Sequence, residues 1–223
     1  MSQAGQTPRA ALFDLDGTLV DSLPTIAEAM SAALRLHGHE VAPASIVPLV
    51  GPPMNVMARD ITRVTEAAAE AINADYLRIY HDEFIHLTPP RAGADALLRR
   101  LQADGITLAV LTNKIEEGAH RMLAVQGWGD RFAFVAGRDT SEPKPHPEAA
   151  LHVLRALGVT PREAVLVGDT EFDMRCGRAA GLGMTIGITG SRSVADLRAS
   201  GATHVVHHLD EVAGILLGAE ARA

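Results

Sequence analysis

A short apolar run that ends in two aspartates places the strongest constraint on how this chain folds. Residues 11–13 predict a buried strand, and Asp14 and Asp16 follow it with one residue between them. In an open α/β sheet, ligands bind at the carboxyl ends of the strands, so both carboxylates would stand at the rim of a site. Gly17 permits a sharp exit from the strand, and Thr18 adds a hydroxyl group.

Beyond Gly93 the sequence alternates between strand and helix patterns. Strands separated by helical segments of this length predict a parallel sheet with right-handed crossovers. The predicted strands are 106–111, 132–136, 164–167, 184–186 and 203–206, and the predicted helices are 94–103, 116–126, 146–157, 173–180, 194–199 and 209–217. We therefore expect an α/β fold: a Rossmann-like parallel sheet with helices on both faces.

The alternation is interrupted directly after the first strand. From residue 24 to about residue 90 the apolar residues follow helical spacing, and Pro89 and Pro90 end this region because a proline pair cannot continue a helix. The sequence thus predicts a discontinuous α/β core of residues 1–18 and 91–223, with a helical domain inserted over residues 19–90.

Polar side chains of a particular kind follow the strands of the predicted core. Thr112 and Asn113 follow the second strand, Lys144 lies in the loop before the helix at 146, and Asp169 and Asp173 follow the strand at 164–167. Together with the first two aspartates they make a site rich in carboxylates, which needs a cation. Hard oxygen ligands favour Mg²⁺, and Mg²⁺ beside hydroxyl, amide and ammonium groups suggests phosphoryl transfer.

Each of these residues has a plainer explanation when it is taken alone. An Asp-Gly pair after an apolar run is often a turn, Thr112 and Asn113 could cap a helix, and Asp169 and Asp173 could stabilise a helix N-terminus. A lysine in a loop, such as Lys144, is usually solvated. The order of the groups, each at a strand end, favours a shared site.

Charge and composition exclude several classes of function. The net charge of −7 argues against general binding of nucleic acid, which requires a basic surface. The sequence has no apolar run long enough for a membrane span and no apolar leader, and its one cysteine excludes an internal disulfide, so we expect a cytoplasmic protein. Only two lysines occur, Lys114 and Lys144, and both lie beside the motifs described above.

With these motifs in order, the chain resembles phosphatases of the haloacid dehalogenase superfamily, in the subgroup with a helical cap after the first motif, similar to phosphoglycolate phosphatases. The Asp-x-Asp-x-Thr motif is Asp14, Asp16 and Thr18, and the other motifs are Thr112 with Asn113, Lys144, and Asp169 with Asp173. The resemblance covers nearly the whole chain. It implies a Mg²⁺-dependent phosphatase that acts on a small phosphorylated metabolite, as a monomer or homodimer.

The resemblance also implies a role for each residue. Asp14 would be the nucleophile, and Asp16 would be the general acid and then the general base. The metal would be held by Asp14, Asp169 and the backbone carbonyl of Asp16, with Asp173 supporting the site from behind. The phosphoryl oxygens would be bound by Thr112, Asn113 and Lys144. In the cap, we expect substrate contacts from Arg59, Arg63 and the loop 51–53.

Two other functions stay open at this point. A sugar phosphomutase of the same superfamily shares these motifs, although its cap usually carries a Ser-Arg pair where this chain has Pro52 and Pro53. A receiver-type phospho-acceptor module also groups acidic residues, a threonine and a lysine around Mg²⁺, but it is shorter and lacks a helical insertion. A dehalogenase typically lacks Asp16, and phosphonoacetaldehyde hydrolases need a cap lysine that residues 19–90 do not contain.

Overall fold

The computed structural model describes residues 7–218 of the chain. Residues 1–6 and 219–223, which the sequence assigns to the core, lie outside the described residues. The strands are β1 (Ala10–Phe13), β2 (Thr107–Leu111), β3 (Phe134–Ala136), β4 (Ala164–Gly168), β5 (Met184–Ile188) and β6 (His204–Val206).

All of these strands belong to one parallel sheet, as the sequence predicted. The order is β3-β2-β1-β4-β5-β6, so β1 lies in the middle and the order reverses beside it. Leu12 of β1 is paired with Ala109 of β2 on one side and with Leu166 of β4 on the other. The carboxyl ends of β1, β2 and β4 therefore meet at the switch point, which is where ligands bind in sheets of this type.

Helices cover both faces of the sheet. They are α1 (Leu23–Leu36), α2 (Pro43–Ile46), α3 (Met54–Thr62), α4 (Glu66–Ile79), α5 (Ala94–Ala103), α6 (Glu116–Val125), α7 (Pro147–Leu157), α8 (Glu171–Ala179), α9 (Val194–Ser200) and α10 (Asp210–Leu217). Successive side chains of β1 point to opposite faces: Leu12 packs with α7 and α8, whereas Phe13 packs with α5, α6 and α10. The predicted α/β fold class is confirmed, and every strand and helix predicted beyond Gly93 is present with small shifts at its ends.

The helical insertion, residues 19–90, contributes α1 to α4 between β1 and β2. Its apolar face packs into the same core as Phe13, because Ile26, Met30, Ile72 and Tyr76 are all buried. Within the region of helical spacing, α4 ends at Ile79, and the chain then passes through a π turn (Tyr80–Phe84) and a 3-10 turn (Ile85–Leu87). Apolar spacing could not reveal this change, because one wider turn leaves the apolar residues on the same side.

The chain leaves and re-enters the core along two adjacent segments. Val20 forms a bridge with Pro90, the Asp21 N–H donates to Pro89 O, and the Arg91 N–H donates to Leu19 O. The outgoing and returning segments thus form a short two-stranded connection beside the site. Among the described residues, no helix has the length and apolar character needed to cross a membrane.

Candidate active site

Three buried carboxylates meet at the switch point of the sheet. Asp14 follows β1, Asp169 follows β4, and Asp173 lies in the first turn of α8. One oxygen from each of the three lies within 4.8 Å of the others. The structure therefore brings together Asp14 and Asp169, which were expected as metal ligands, and Asp173, which was expected to support the site. Asp16, whose backbone carbonyl was expected as a further ligand, follows on the loop after β1.

The loop after β1 fits closely against Asp169. Gly17 has φ +78°, and a Cβ at this position would collide with the Asp169 carboxylate. Thr18 Oγ1 donates to Asp169 Oδ1 at 3.0 Å, and Ser191 Oγ donates to Oδ2 at 2.5 Å. Both carboxylate oxygens are thus held by hydroxyl groups. Sequence reasoning missed Ser191, because it lies beyond β5 in a segment with no recognisable motif.

Lys144 supplies the positive charge on the core side of the site. Its side chain is buried, with Nζ 3.1 Å from Asp14 Oδ2 and 2.6 Å from Asp173 Oδ1. The other oxygen of Asp173 accepts from Thr170 N and Thr170 Oγ1. Burial alone would lower the pKa of Lys144, but Asp14 and Asp173 outweigh it and raise that pKa above its ordinary value. Asp173 therefore fixes both the ammonium group and the start of α8.

Burial destabilises the ionised forms of the Asp14 and Asp169 carboxylates. It raises the pKa of Asp14 to about 7, with Asp173, Asp169 and Asp16 adding repulsion that Lys144 offsets only in part. Burial, followed by repulsion from Asp173, raises the pKa of Asp169 to about 6. Two adjacent carboxylates that resist ionisation form a donor set that a hard divalent cation would complete.

Asp16 is held by two donors from different parts of the chain. Ser22 Oγ donates to Oδ1 at 2.7 Å, and Lys114 Nζ lies 3.1 Å from Oδ2. The same ammonium group stands 4.6 Å from the centre of the Tyr80 ring, which belongs to the helical insertion. Burial would lower the pKa of Lys114, but Asp16 outweighs it and raises that pKa. Lys114 was noticed in the sequence only as one of two lysines and was not placed in the site.

Thr112 and Asn113 lie at the carboxyl end of β2, but they differ in their contacts. Thr112 Oγ1 accepts the Lys114 N–H at 3.2 Å and keeps its own proton for another acceptor. The Asn113 amide donates to Gly51 O and to Lys144 O, and it accepts the Lys144 N–H at 2.9 Å. The hydrogen bonds of the Asn113 side chain therefore connect the insertion and the Lys144 loop to the end of β2.

A cavity of about 40 Å³ lies between these core residues and the helical insertion. Asp14, Asp16, Thr112 and Asp169 line its core side, and the insertion supplies the opposite wall. Of the expected cap contacts, Gly51 and Pro52 line the cavity, whereas Arg59 and Arg63 do not. The insertion wall is instead formed by Leu23, Val50, Met54, Asn73, Tyr76 and Leu77.

Comparison with known proteins places this site in a family. Residues 11–186 match the family model described as haloacid dehalogenase-like hydrolase. The chain belongs to this family. It is 33% identical over 192 residues to a phosphoglycolate phosphatase from Xylella fastidiosa, covering 85% of this chain and 84% of that protein. A phosphoglycolate phosphatase from Pseudomonas putida is 34% identical over 202 residues, with coverage of 85% and 74%.

Solved structures agree with the family assignment. A predicted phosphatase from Clostridium acetobutylicum superposes with a TM-score of 0.86 at 25% identity, covering 93% of this chain and 97% of that one. A hydrolase from Pseudomonas syringae, at 24% identity and a TM-score of 0.84, shares the fold. This member of the haloacid dehalogenase-like family is a phosphoric monoester hydrolase, as the sequence motifs indicated. Its strand order also differs from the 2-1-3-4-5 order of receiver-type folds, which excludes that alternative.

Proposed function

We propose that this hydrolase cleaves a small phosphate monoester related to phosphoglycolate, that Mg²⁺ is its metal, and that Asp14 carries the phosphoryl group between two steps. The observation that supports this most directly is the position of Asp14. Its Oδ1 accepts the Leu15 N–H at 2.7 Å and its Oδ2 lies 3.1 Å from Lys144 Nζ, so the carboxylate is oriented at the edge of the cavity.

The metal would be held by Asp14, Asp169 and the backbone carbonyl of Asp16. When bound, it would neutralise charge on the carboxylates and on the phosphoryl oxygens. Asp169 suits this role because its two oxygens accept only hydroxyl donors, Thr18 and Ser191, and no cation of the protein neutralises it within residues 7–218. Asp173 is instead already paired with Lys144.

In the first step, an Asp14 oxygen attacks phosphorus and the bond between phosphorus and the ester oxygen breaks. Asp16 donates a proton to the departing alkoxide. In the second step, Asp16 takes a proton from water, the water oxygen attacks phosphorus, and the bond to Asp14 breaks to release phosphate. Lys144 and the Thr112 hydroxyl, both oriented by the core, would stabilise charge on the transferring group.

We further propose that the helical insertion acts as a cap that selects the substrate. The cavity lies between the catalytic residues and the insertion, so the insertion would contact the organic part of a bound ester. The names of the two bacterial relatives point to phosphoglycolate, which has a two-carbon acid as its organic part. Cytoplasmic location and a monomeric or homodimeric state stay predictions.

The test is release of phosphate from phosphoglycolate and from para-nitrophenyl phosphate by the purified protein, with and without Mg²⁺. We expect Mg²⁺-dependent release that Asp14→Asn lowers by at least about 10³-fold, because an amide is a poor nucleophile. Asp60→Asn, at an exposed position of α3, is the matched control and should retain activity. Near-normal turnover by Asp14→Asn would contradict the mechanism, and no release from either ester by folded, Mg²⁺-loaded protein would contradict the function.

A further inference from the structure

The wall of the cavity formed by the helical insertion contains polar atoms that have no protein partner. Tyr76 and Asn73 both lie on α4 and line the cavity, and their exposed fractions are only 1% and 6%. Within residues 7–218, neither Tyr76 Oη nor Asn73 Oδ1 has a hydrogen-bond partner. Leaving a buried polar atom unpaired is unfavourable, so two such atoms in residues of one cavity wall indicate a ligand that pairs with them.

The core side of the same cavity contributes two basic residues, Lys114 and Arg138. Arg138 follows β3 and lines the same cavity, and its backbone N–H donates to Lys114 O. Lys114 is neutralised by Asp16, whereas the Arg138 guanidinium forms no ion pair within the described part of the chain. Arg138 is therefore the cation of the cavity wall whose charge is left for a ligand.

We propose that Arg138, Tyr76 and Asn73 together form the binding site for a carboxylate on the organic part of the substrate. This inference rests on the proposed function, since it names the groups that recognise the leaving group of the same reaction. A guanidinium binds a carboxylate through two parallel N–H donors, and the phenol of Tyr76 adds an O–H donor. Rotation of the Asn73 amide by about 180° around its Cβ–Cγ bond would let its N–H group donate to the same carboxylate. Within residues 7–218, the Asn73 side chain makes no hydrogen bond that this rotation would break.

The positions of Asn73 and Tyr76 place part of the recognition site away from the chemistry. Asp14 and Thr112 lie on the core side, where the phosphoryl group would be, and Asn73 and Tyr76 lie on the opposite wall. An ester with a phosphoryl group at one end and a carboxylate at the other, separated by a short chain, would span the cavity. If a neutral alcohol replaced the carboxylate, the Arg138 guanidinium would have no anion to pair with in the complex.

The experiment compares two esters that differ only in this group, 2-phosphoglycolate and 2-hydroxyethyl phosphate. We expect the wild type to prefer phosphoglycolate in kcat/KM, and Arg138→Gln to lower that preference by about tenfold to hundredfold, the range for a hydrogen bond to a charged group. Tyr76→Phe should lower it by a smaller factor of about three to ten. Arg162→Gln is the matched control, because Arg162 is exposed and lies outside the cavity, and it should keep the full preference.

A binding measurement keeps this inference separate from the proposed function. Calorimetric titration of the Mg²⁺-loaded protein with 3-phosphonopropionate and with 3-hydroxypropylphosphonate compares the same two groups without turnover. Tighter binding of the carboxylate compound that is lost in Arg138→Gln supports the carboxylate site. Equal binding of the two compounds, or an unchanged preference in Arg138→Gln, overturns it, even if both esters are hydrolysed. Failure to hydrolyse either ester overturns the proposed function instead, and the titration still decides this inference.

Discussion

The catalytic residues of the core wall and the polar residues of the insertion wall differ in polar pairing. On the core wall, the Asp169 carboxylate has hydroxyl partners on both oxygens, and Lys144, which is buried next to this wall, contacts the carboxylates of Asp14 and Asp173. On the insertion wall, the buried oxygens of Asn73 and Tyr76 have no partner among the described residues. Both walls are buried, so solvent does not explain the difference.

This contrast shows how one cavity can serve two tasks. Catalytic groups need fixed positions, which a complete set of hydrogen bonds and ion pairs provides before substrate arrives. A recognition surface gains selectivity when its polar atoms are satisfied only by the correct ligand, because the wrong ligand leaves them unpaired. The core wall has the first character and the insertion wall has the second.

Apart from substitution of the nucleophile, the largest loss of activity should follow from substitution of Asp16, which lines the core side of the cavity. We expect Asp16→Asn to lower turnover by about 10²–10⁴-fold, because the amide can neither donate the proton to the leaving group nor activate water. Intact-mass analysis after rapid acid quenching should show protein carrying one phosphoryl group. If Asp16→Asn turned over at the wild-type rate, the proton-transfer role would be wrong.

The core wall should be sensitive to the loss of its cation. Lys144→Met leaves Asp14 and Asp173 buried without a counter-charge, so we expect the free energy of unfolding in urea to fall by about 3–5 kcal/mol without metal. Arg35→Met removes an exposed ion pair to Glu40 and should cost less than about 1 kcal/mol. Adding Asp173→Asn to Lys144→Met should recover part of the loss. Equal effects of the two single changes would show that the core wall is not held by its charges.

The stability of the metal-free protein should depend on pH through the same wall. The folded-state pKa values of Asp14 and Asp169, about 7 and about 6, lie above their ordinary value of 3.8. Ionisation therefore costs stability, and the free energy of unfolding should fall as the pH rises from about 4 to about 7, by about 5–6 kcal/mol for the two groups together. Mg²⁺ should raise the melting temperature more at about pH 8 than at about pH 5, because protons compete with the metal. A melting-temperature increase independent of pH would argue against these carboxylates as ligands.

The smallest effect gives the most direct comparison of the two walls, because one hydroxyl is removed from each. Thr18→Val deletes a donor to the Asp169 carboxylate and should cost about 1.5–3 kcal/mol of unfolding free energy. Tyr76→Phe deletes a hydroxyl without a partner and should change stability by less than about 0.5 kcal/mol, or increase it. Urea denaturation of both variants measures the difference. Comparable losses would mean that Tyr76 Oη has a stabilising partner after all.

Several residues of the site were predicted from the sequence. Asp14, Asp169, Asp173 and Lys144 were found because each follows a strand in order, and the structure brings them into contact. Asn113 was expected to bind phosphoryl oxygens, an expectation that no observation tests, and its side chain contacts backbone groups of Gly51 and Lys144.

Other residues gave weaker signals or none. Lys114 was visible as a rare residue type beside a motif, but its partner Asp16 is nearly a hundred positions away, and nothing in the local pattern pairs them. Ser191 follows a strand without any motif. Asn73 and Tyr76 lie on a helix whose apolar spacing predicts burial, so no sequence pattern distinguishes them from the core residues.

Local sequence patterns thus determined the order of strands and helices, the place where a helical region interrupts it, and the carboxylates at the strand ends. Each of these can be recognised from residues only a few positions apart, through apolar periodicity, turn residues and chain order. The tertiary structure decided which groups are paired and which are not. Pairing depends on contacts between segments far apart in sequence, as between Lys114 and Asp16 or between Asn113 and Gly51. At the end of β1, the sequence therefore predicted where the chemistry takes place, and only the packing of the insertion over it formed the cavity that we propose selects the substrate.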